Sequence, residues 1–210
     1  MLLFRISIYY IYVVYKHTLW ISSQNLYKQK KTVFRSQQLR EMFSDISKKS
    51  FDQILYRAKK QGKLLNPQRG LRTLPVFNHE ELACQYFPEG YISLESVLYD
   101  AGVSFQRYGN ATTMVASRTA DIYYQEHNYT SHKIKNLLLF NETGVRQHAH
   151  YRKATPERAL CDLVYLRPKA HFDNPQYFQN TQSELRLKKL LPLYPKTTQQ
   201  HVRRIIATQA

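Results

Sequence analysis

The sequence predicts an α+β fold in which a small, basic helical module precedes a larger mixed domain. Two observations support this prediction. Apolar residues recur at helical spacing over residues 36–61, and short β-prone segments alternate with helical ones over residues 91–164. With 210 residues, of which 43% are hydrophobic, the chain is long enough to bury one sizeable core or two small ones.

The net charge of +16 is distributed unevenly along the chain. Residues 1–75 contain 15 Lys and Arg against 3 Asp and Glu, residues 76–165 contain 8 against 10, and residues 166–210 contain 8 against 2. A surface charged only for solubility would show a more even distribution. The two basic ends therefore favour a polyanionic partner.

Residues 1–15 are strongly apolar, but the run is interrupted by Arg5 and ends at Lys16. A membrane-spanning helix needs about 20 apolar residues. No cleavage site typical of a signal peptide follows the run. We therefore predict a cytoplasmic protein without a membrane partner, in which residues 1–20 form an apolar extension: either a packing segment or translated sequence ahead of the true start.

The basic module begins with a helix predicted over residues 22–30 and a β-prone segment at residues 32–35. Ser36 is placed to cap a first helix with apolar residues on one face. Residues 44–47 predict a turn, and Ser47 is placed to cap the next helix. This order of elements is typical of a helix-turn-helix.

The second helix is predicted over residues 48–61, with Gly62 at its C-terminus. Its buried stripe consists of Phe51, Ile54, Leu55 and Ala58. Residues 63–65 and 71–74 are strand candidates joined by a turn-rich link. Two helices, a turn and a hairpin predict a winged helix-turn-helix over residues 21–75.

An apolar stripe on one side of the second helix turns the remaining residues outward, because successive positions advance by about 100°. The candidate DNA-binding residues lie on that outward face or on the wing: Lys48, Lys49, Gln53, Tyr56, Arg57, Lys60, Arg69 and Arg72. Gln53 suits the edge of adenine, Arg57 suits guanine, and the lysines suit phosphates. The alternative is an ordinary solvated helix face.

Residues 76–210 predict a second domain of mixed type. Tyr91 and Ile92 lead to Ser93, which is placed to cap a helix ending at Gly102. The other predicted elements are strands at residues 112–116, 129–135, 137–140 and 145–151, a helix capped by Thr155 that begins at Pro156, and two basic helices near residues 183–190 and 197–207. The order is that of an α+β domain rather than a regular βαβ repeat.

Polar residues in this domain raise the question of catalysis. Glu157 lies in the first turn of its helix, where a carboxylate complements the helix dipole. Arg158 and Asp162 have the spacing of an intrahelical ion pair. We expect structural roles for all three. The chain contains no Gly-rich phosphate loop, GxSxG or HExxH motif, so we predict no enzymatic activity and no cofactor.

The histidines and cysteines do not predict a metal site either. His148 and His150 share one face of the predicted strand at residues 145–151, but the cations on that face oppose metal binding. We expect surface or phosphate contacts for both. Cys84 and Cys161 are far apart without CxxC spacing, so we interpret them as packing residues in a reducing compartment.

Motifs of the second domain occur in the order found in one known family. They are YISLESVL at residues 91–98 with Gly102, TMVAS at residues 113–117, HKI at residues 132–134, and ATPERALCDL at residues 154–163. Together with Tyr194, Pro195 and Lys196 before the last helix, they resemble the AbiEi-type antitoxins of type IV toxin–antitoxin systems. The resemblance covers about residues 30–207. Departures are Leu71 after Gly70, where the family often has an aromatic residue, and the apolar extension.

The resemblance implies a transcriptional autorepressor that binds an operator with inverted repeats in double-stranded DNA. It also implies a second domain with antitoxin function, which counters a cognate nucleotidyltransferase toxin, with or without direct contact. A homodimer is expected, since inverted repeats need two copies. The alternative is a stand-alone winged-helix transcription factor whose second domain senses a ligand or partner. An enzyme acting on nucleic acid is the least favoured alternative.

Overall fold

The computed structural model describes residues 31–105 and 109–207, and the chain is an α+β protein. It divides into two compact units, the first ending at Asn78 and the second beginning at His79. The apolar extension and the helix predicted over residues 22–30 lie outside the described residues. Within the described part, no helix combines the length and apolar character needed to cross a membrane.

The described part of the first unit contains two helices and a small antiparallel sheet. Its elements are β1 (Val33–Arg35), α1 (Ser36–Met42), α2 (Lys48–Lys60) and β2 (Leu71–Thr73). Strand β1 pairs with β2, so that Phe34 lies opposite Arg72. Leu65 forms a single bridge to Thr73 on the other side of β2. Both helices and the turn between them follow the sequence-based prediction.

Two details of the first unit differ from prediction. Ser36 is the first residue of α1 rather than its cap, because β1 leads directly into the helix. Of the strand predicted at residues 63–65, only Leu65 pairs. The amides of Lys63 and Leu64 instead donate to the carbonyl of Ala58, at 2.9 and 3.3 Å, and so close the end of α2.

Helix α2 has the ends that the sequence predicts. The Ser47 hydroxyl accepts a hydrogen bond from the amide of Ser50 at 3.2 Å, as an N-cap does. Gly62 follows the helix with a φ of 67°, a left-handed conformation that favours glycine. The core beneath the helix is formed by Phe34, Leu39, Phe51, Leu64 and Leu74, with Phe43, Ile46, Leu55 and Ala58 partly buried against it. The predicted apolar stripe therefore faces the core.

The second unit is built on one mixed sheet. Its strands are β3 (Tyr91–Ile92), β4 (Ala111–Ala116), β5 (Ala120–Tyr124), β6 (His127–Lys133), β7 (Val145–Gln147) and β8 (Arg152–Ala154), in the spatial order β5-β6-β4-β3-β8-β7. Strand β4 runs parallel to β6 and β3 parallel to β8, whereas the other pairs are antiparallel. Gly90 lies directly before β3. A Cβ at this position would lie 2.5 Å from the Val115 carbonyl oxygen, so the close approach of the two strands requires glycine.

The second unit also contains helices that precede, alternate with and follow these strands in the sequence. They are α3 (His79–Tyr86), α4 (Glu95–Asp100), α5 (Asn136–Leu139), α6 (Pro156–Leu166), α7 (Thr181–Leu190) and α8 (Lys196–Ala207), with short 3-10 turns at Pro175–Phe178 and Leu191–Leu193. Helix α6 is the central helix, because every residue from Glu157 to Val164 is buried. As predicted, Thr155 caps α6 and Pro156 begins it.

Three predictions for this unit are wrong. Ser93 does not cap α4; Leu94 precedes the helix with a φ of 61°, and the Ser93 hydroxyl bonds to Asp162 instead. Residues 137–140 belong to helix α5 and its end rather than to a strand. Of the strand predicted over residues 145–151, only β7 forms; the following residues make the turn to β8, which is closed by a hydrogen bond from the His148 amide to the Tyr151 carbonyl. In addition, strand β5 was not predicted.

Arg158 of α6 is fully buried at the centre of the second unit. Its Nε donates to Asp162 Oδ1 at 3.2 Å, the predicted intrahelical ion pair. Its Nη2 donates to the Tyr91 hydroxyl at 2.8 Å and to the Leu138 carbonyl at 2.7 Å, and its Nη1 donates to the Thr143 carbonyl at 3.0 Å. The guanidinium thus connects α6 to β3 and to the segment around α5.

The Asp162 carboxylate accepts hydrogen bonds from two distant parts of the chain besides its own helix. It accepts hydrogen bonds from Tyr91 Oη at 3.0 Å, Ser93 Oγ at 2.8 Å and Tyr194 Oη at 2.6 Å. Glu157, in the first turn of α6 as predicted, is also buried and accepts from Ser183 Oγ at 2.9 Å and Arg186 Nη1 at 3.1 Å. These acidic residues therefore hold the unit together.

Candidate nucleic-acid interface

Helix α2 presents its predicted outward residues to solvent. Lys49, Gln53, Tyr56 and Lys60 lie along one face, and Tyr56 is 67% exposed. On the opposite face Phe51 and Ile54 are buried. An apolar stripe that is fixed in a core holds the outward face in one orientation, as a recognition helix requires.

A shallow depression lies at the N-terminal half of this face. It is lined by Lys48, Lys49, Asp52, Gln53 and Tyr56. Four of these five residues are among the predicted site residues. Asp52 was not a predicted site residue, although its position three residues after Lys49 places the two side chains next to each other on the helix and could have indicated it as a site residue. The depression therefore combines two cations, an amide and an aromatic ring with one carboxylate.

The C-terminal half of α2 is more basic than the prediction stated. Arg57 and Lys60 are exposed as expected, and exposed Lys59 and Lys63 lie near them. None of these four side chains forms an ion pair with another described residue. Their positive charge is therefore uncompensated by the part of the chain that the structure describes.

The two predicted wing residues differ in their surroundings. Arg69 is exposed in the loop before β2. Arg72 is half-buried, and its Nη1 donates to the side-chain oxygen of Asn66 and, at 2.8 Å, to the carbonyl of Leu71. Burial lowers the pKa of Arg72 from its usual value. Arg72 thus fixes the shape of the loop, whereas Arg69 extends from it.

Arg40 shows that some cations of the first unit have a structural role. Its Nη1 donates to the carbonyls of Phe43 and Ile46, each at 2.8 Å, and its guanidinium lies 5.5 Å from the centre of the Phe51 ring. These contacts close the turn between α1 and α2. They fix the angle between α1 and α2, and therefore the orientation of the exposed face of α2.

The described residues contain no group of three or more His, Cys, Asp or Glu side chains that could hold a metal ion. His148 lies in the turn between β7 and β8, where its ring stacks on Tyr151 at a centroid distance of 4.6 Å. Burial raises the pKa of Cys84 to about 11, and it also raises the pKa of the fully buried Cys161. Both thiols are therefore protonated packing groups at neutral pH.

No protein-family model and no curated protein matches this chain. Among solved structures, the chain is similar to the crystal structure of the RV2827C protein from Mycobacterium tuberculosis, with a TM-score of 0.56 and 12% sequence identity. The match covers 87% of this chain and 74% of that protein. At this identity the likeness is one of fold.

Proposed function

We propose that this chain is a cytoplasmic DNA-binding transcriptional autorepressor and the antitoxin of a type IV, AbiE-like toxin–antitoxin system. The observation that carries the DNA-binding part is the exposed cationic face of α2. The face is basic, rests on a buried stripe, and follows a short helix and a tight turn. A loop and β2 follow the helix in the sequence, and we interpret this order of elements as a winged helix-turn-helix.

The residues of this face divide by the contact that each is suited to make. Lys48, Lys49 and Lys60 are long, mobile cations that suit phosphates of either strand. Gln53 and Arg57 can form paired hydrogen bonds with a base edge in the major groove. The lysines then supply affinity for any duplex, while Gln53 and Arg57 supply preference for the operator.

The wing and a second copy complete the proposed complex. Arg69 extends from the loop, where it can reach a phosphate or an adjacent groove. One module of this size contacts a single half-site. Inverted repeats in an operator therefore fit two copies of the chain.

The antitoxin part of the proposal rests on the family resemblance of the second domain, whose motifs span residues 91–163. In this proposal the second unit counters a nucleotidyltransferase toxin encoded beside it. The alternative is a stand-alone winged-helix transcription factor with a sensing domain. Gene neighbourhood separates the two: a nucleotidyltransferase reading frame directly downstream supports the antitoxin, and its absence favours the sensor.

Paired charge variants test the interface. We expect Lys49→Gln with Lys60→Gln to weaken binding to all duplexes and to lower the slope of log K against log salt by about 2, since each phosphate contact contributes about 0.9. Gln53→Ala should instead relax preference for the operator by about 1–3 kcal/mol. Fluorescence anisotropy with operator and random duplexes over a salt series measures both effects.

The matched control removes the same charge from the second unit. Lys133 and Lys135 are both exposed there. We expect Lys133→Gln with Lys135→Gln to leave affinity and salt slope near their wild-type values. Equal effects of the two double variants would mean that duplex binding reflects net charge alone, which would refute the role of α2.

A further inference from the structure

Asp52 is the only acidic residue of helix α2, and it lines the depression on the exposed face of that helix. The other charged residues of α2 are five cations. A carboxylate on a face that binds duplex DNA repels the phosphates that the cations attract. Asp52 therefore lowers the affinity of this face for DNA unless it makes a favourable contact of its own.

Contacts within the chain do not account for Asp52. The helix dipole stabilises a carboxylate in the first turn, but Asp52 is the fifth residue of α2, and Ser47 already caps the helix. Lys48 and Lys49 precede Asp52 by four and three positions, a spacing that permits ion pairs. The exposed Asp52 side chain nevertheless forms no ion pair or hydrogen bond with another residue that the structure describes. Within the described part, its oxygens are free to accept hydrogen bonds from a ligand.

The position of Asp52 on the helix suits a contact with a base rather than with the backbone of DNA. Successive helix residues advance by about 100°, so Asp52 and Gln53 lie on either side of the line formed by Lys49 and Tyr56. All four residues line the depression. In helix-turn-helix proteins the N-terminal residues of the recognition helix contact base edges. Asp52 therefore lies beside Gln53 on the part of α2 that would face the bases.

The chemistry of a carboxylate restricts which base it can contact. An ionised carboxylate only accepts hydrogen bonds. In the major groove the donors are the N4 amino group of cytosine and the N6 amino group of adenine, whereas guanine and thymine present acceptors. Adenine N6 lies beside the acceptor N7, which repels a carboxylate and suits the amide of Gln53. Cytosine is therefore the base that Asp52 complements.

We propose that Asp52 determines specificity for cytosine in the operator, by accepting a hydrogen bond from the N4 amino group in the major groove. This inference rests on the proposed DNA-binding role of α2. Cytosine supplies the donor that the carboxylate lacks, whereas guanine or thymine at the same position places an acceptor against it. On duplexes without this cytosine Asp52 only repels phosphates, so it increases the difference in affinity between the operator and random DNA.

Selection of ligands from a library of random duplexes tests this inference. The full-length wild-type chain selects its site, and fluorescence anisotropy then measures affinity for duplexes in which each C·G pair of that site is replaced in turn. We expect one pair at which replacement of cytosine by adenine weakens wild-type binding at least about fivefold. Asp52→Asn should bind the adenine duplex at least as tightly as the cytosine duplex, because an asparagine amide pairs with adenine. Asp52→Ala should lose the preference without gaining another.

Asp45→Asn is the matched control, since Asp45 is exposed and does not line the depression. It removes the same charge and should keep the wild-type preference for cytosine. If Asp52→Asn and Asp52→Ala both keep this preference, or if the wild-type chain selects a site in which no cytosine is required, the inference is overturned while DNA binding by α2 stands. A wild-type chain that binds no duplex contradicts the proposed function itself, and the role of Asp52 with it.

Discussion

Arg158 is the largest side chain that the described part of the second unit buries completely. Burial alone would lower the pKa of Arg158, but the adjacent Asp162 carboxylate reverses the effect and raises it. An isolated buried charge costs several kcal/mol, so the ion pair is tolerated only because hydrogen bonds satisfy both partners. The carbonyl of Leu138 and the hydroxyl of Tyr194 supply two of these bonds. The network therefore specifies how distant segments meet.

Substitutions within this network should destabilise the fold by different amounts. We expect Asp162→Asn to lower the free energy of unfolding by about 3–5 kcal/mol, because it leaves the Arg158 charge buried without a counterion. Tyr194→Phe should lower it by about 1.5–3 kcal/mol, the contribution of a hydrogen bond to a charged group. Urea unfolding followed by circular dichroism measures both values.

Tyr165→Phe is the control for this prediction. Its ring lies edge-on to Tyr194 at a centroid distance of 6.1 Å, and it lies outside the Asp162 network. Removal of the Tyr165 hydroxyl should change stability by less than about 0.5 kcal/mol. A Tyr194→Phe variant as stable as Tyr165→Phe would show that the bond to Asp162 contributes nothing.

Asp52 provides a single-residue test of the α2 face. Its carboxylate shares the depression with Lys48 and Lys49. Two unit charges at 4 Å in water interact by about 1 kcal/mol, so a carboxylate near a phosphate weakens binding by about fivefold. Asp52→Asn should therefore tighten binding to random duplexes by up to that factor, as measured by fluorescence anisotropy at low salt.

Asp45→Asn removes the same charge from the turn before α2. Asp45 is exposed and does not line the depression. We expect it to change affinity for random duplexes by less than twofold, because the carboxylate is farther from the proposed phosphate position. Weaker binding by Asp52→Asn than by Asp45→Asn would mean that no phosphate lies near Asp52.

At the scale of elements, the sequence correctly predicted the helices and strands whose sequence signals lie within a single short segment. Helices α2 and α6 each have a capping hydroxyl, an apolar stripe and a clear start, all within one short segment. Four consecutive apolar residues at 137–140 do not distinguish helix from strand, which explains the error at α5. Strand β5 is an edge strand with Asp121 and Tyr123 exposed, so its sequence lacks a buried strand's pattern.

Other elements depend on partners that are distant in sequence. Ser93 has a residue type and position that favour a cap, but its hydroxyl donates to Asp162, 69 residues away. The same limit applies to the candidate interface. The helical period predicted which residues of α2 face outward, but it could not predict that Arg72 bonds to Asn66, because that contact depends on how the loop folds.

At the scale of the whole molecule, each of the two units contains one of the basic ends of the chain. The first unit ends at Asn78 and contains the basic residues 1–75, whereas the second unit combines a nearly neutral segment up to residue 165 with the basic residues 166–210. The exposed cationic face of α2 lies in the first unit, and the motifs at residues 91–163 that resemble the antitoxin family lie in the second. This division favours separable roles for the two units.

Separable roles predict that loss of DNA binding leaves toxin neutralisation intact. We expect Lys49→Gln with Lys60→Gln to abolish repression of a reporter that carries the operator, since both changes remove phosphate contacts. The same variant should still restore growth when the neighbouring nucleotidyltransferase gene is expressed from an independent promoter. Growth curves and reporter activity, compared with an empty vector and the wild-type chain, measure the two roles. Loss of growth rescue together with repression, at wild-type protein levels, would mean that the antitoxin acts through the same cationic face that binds DNA.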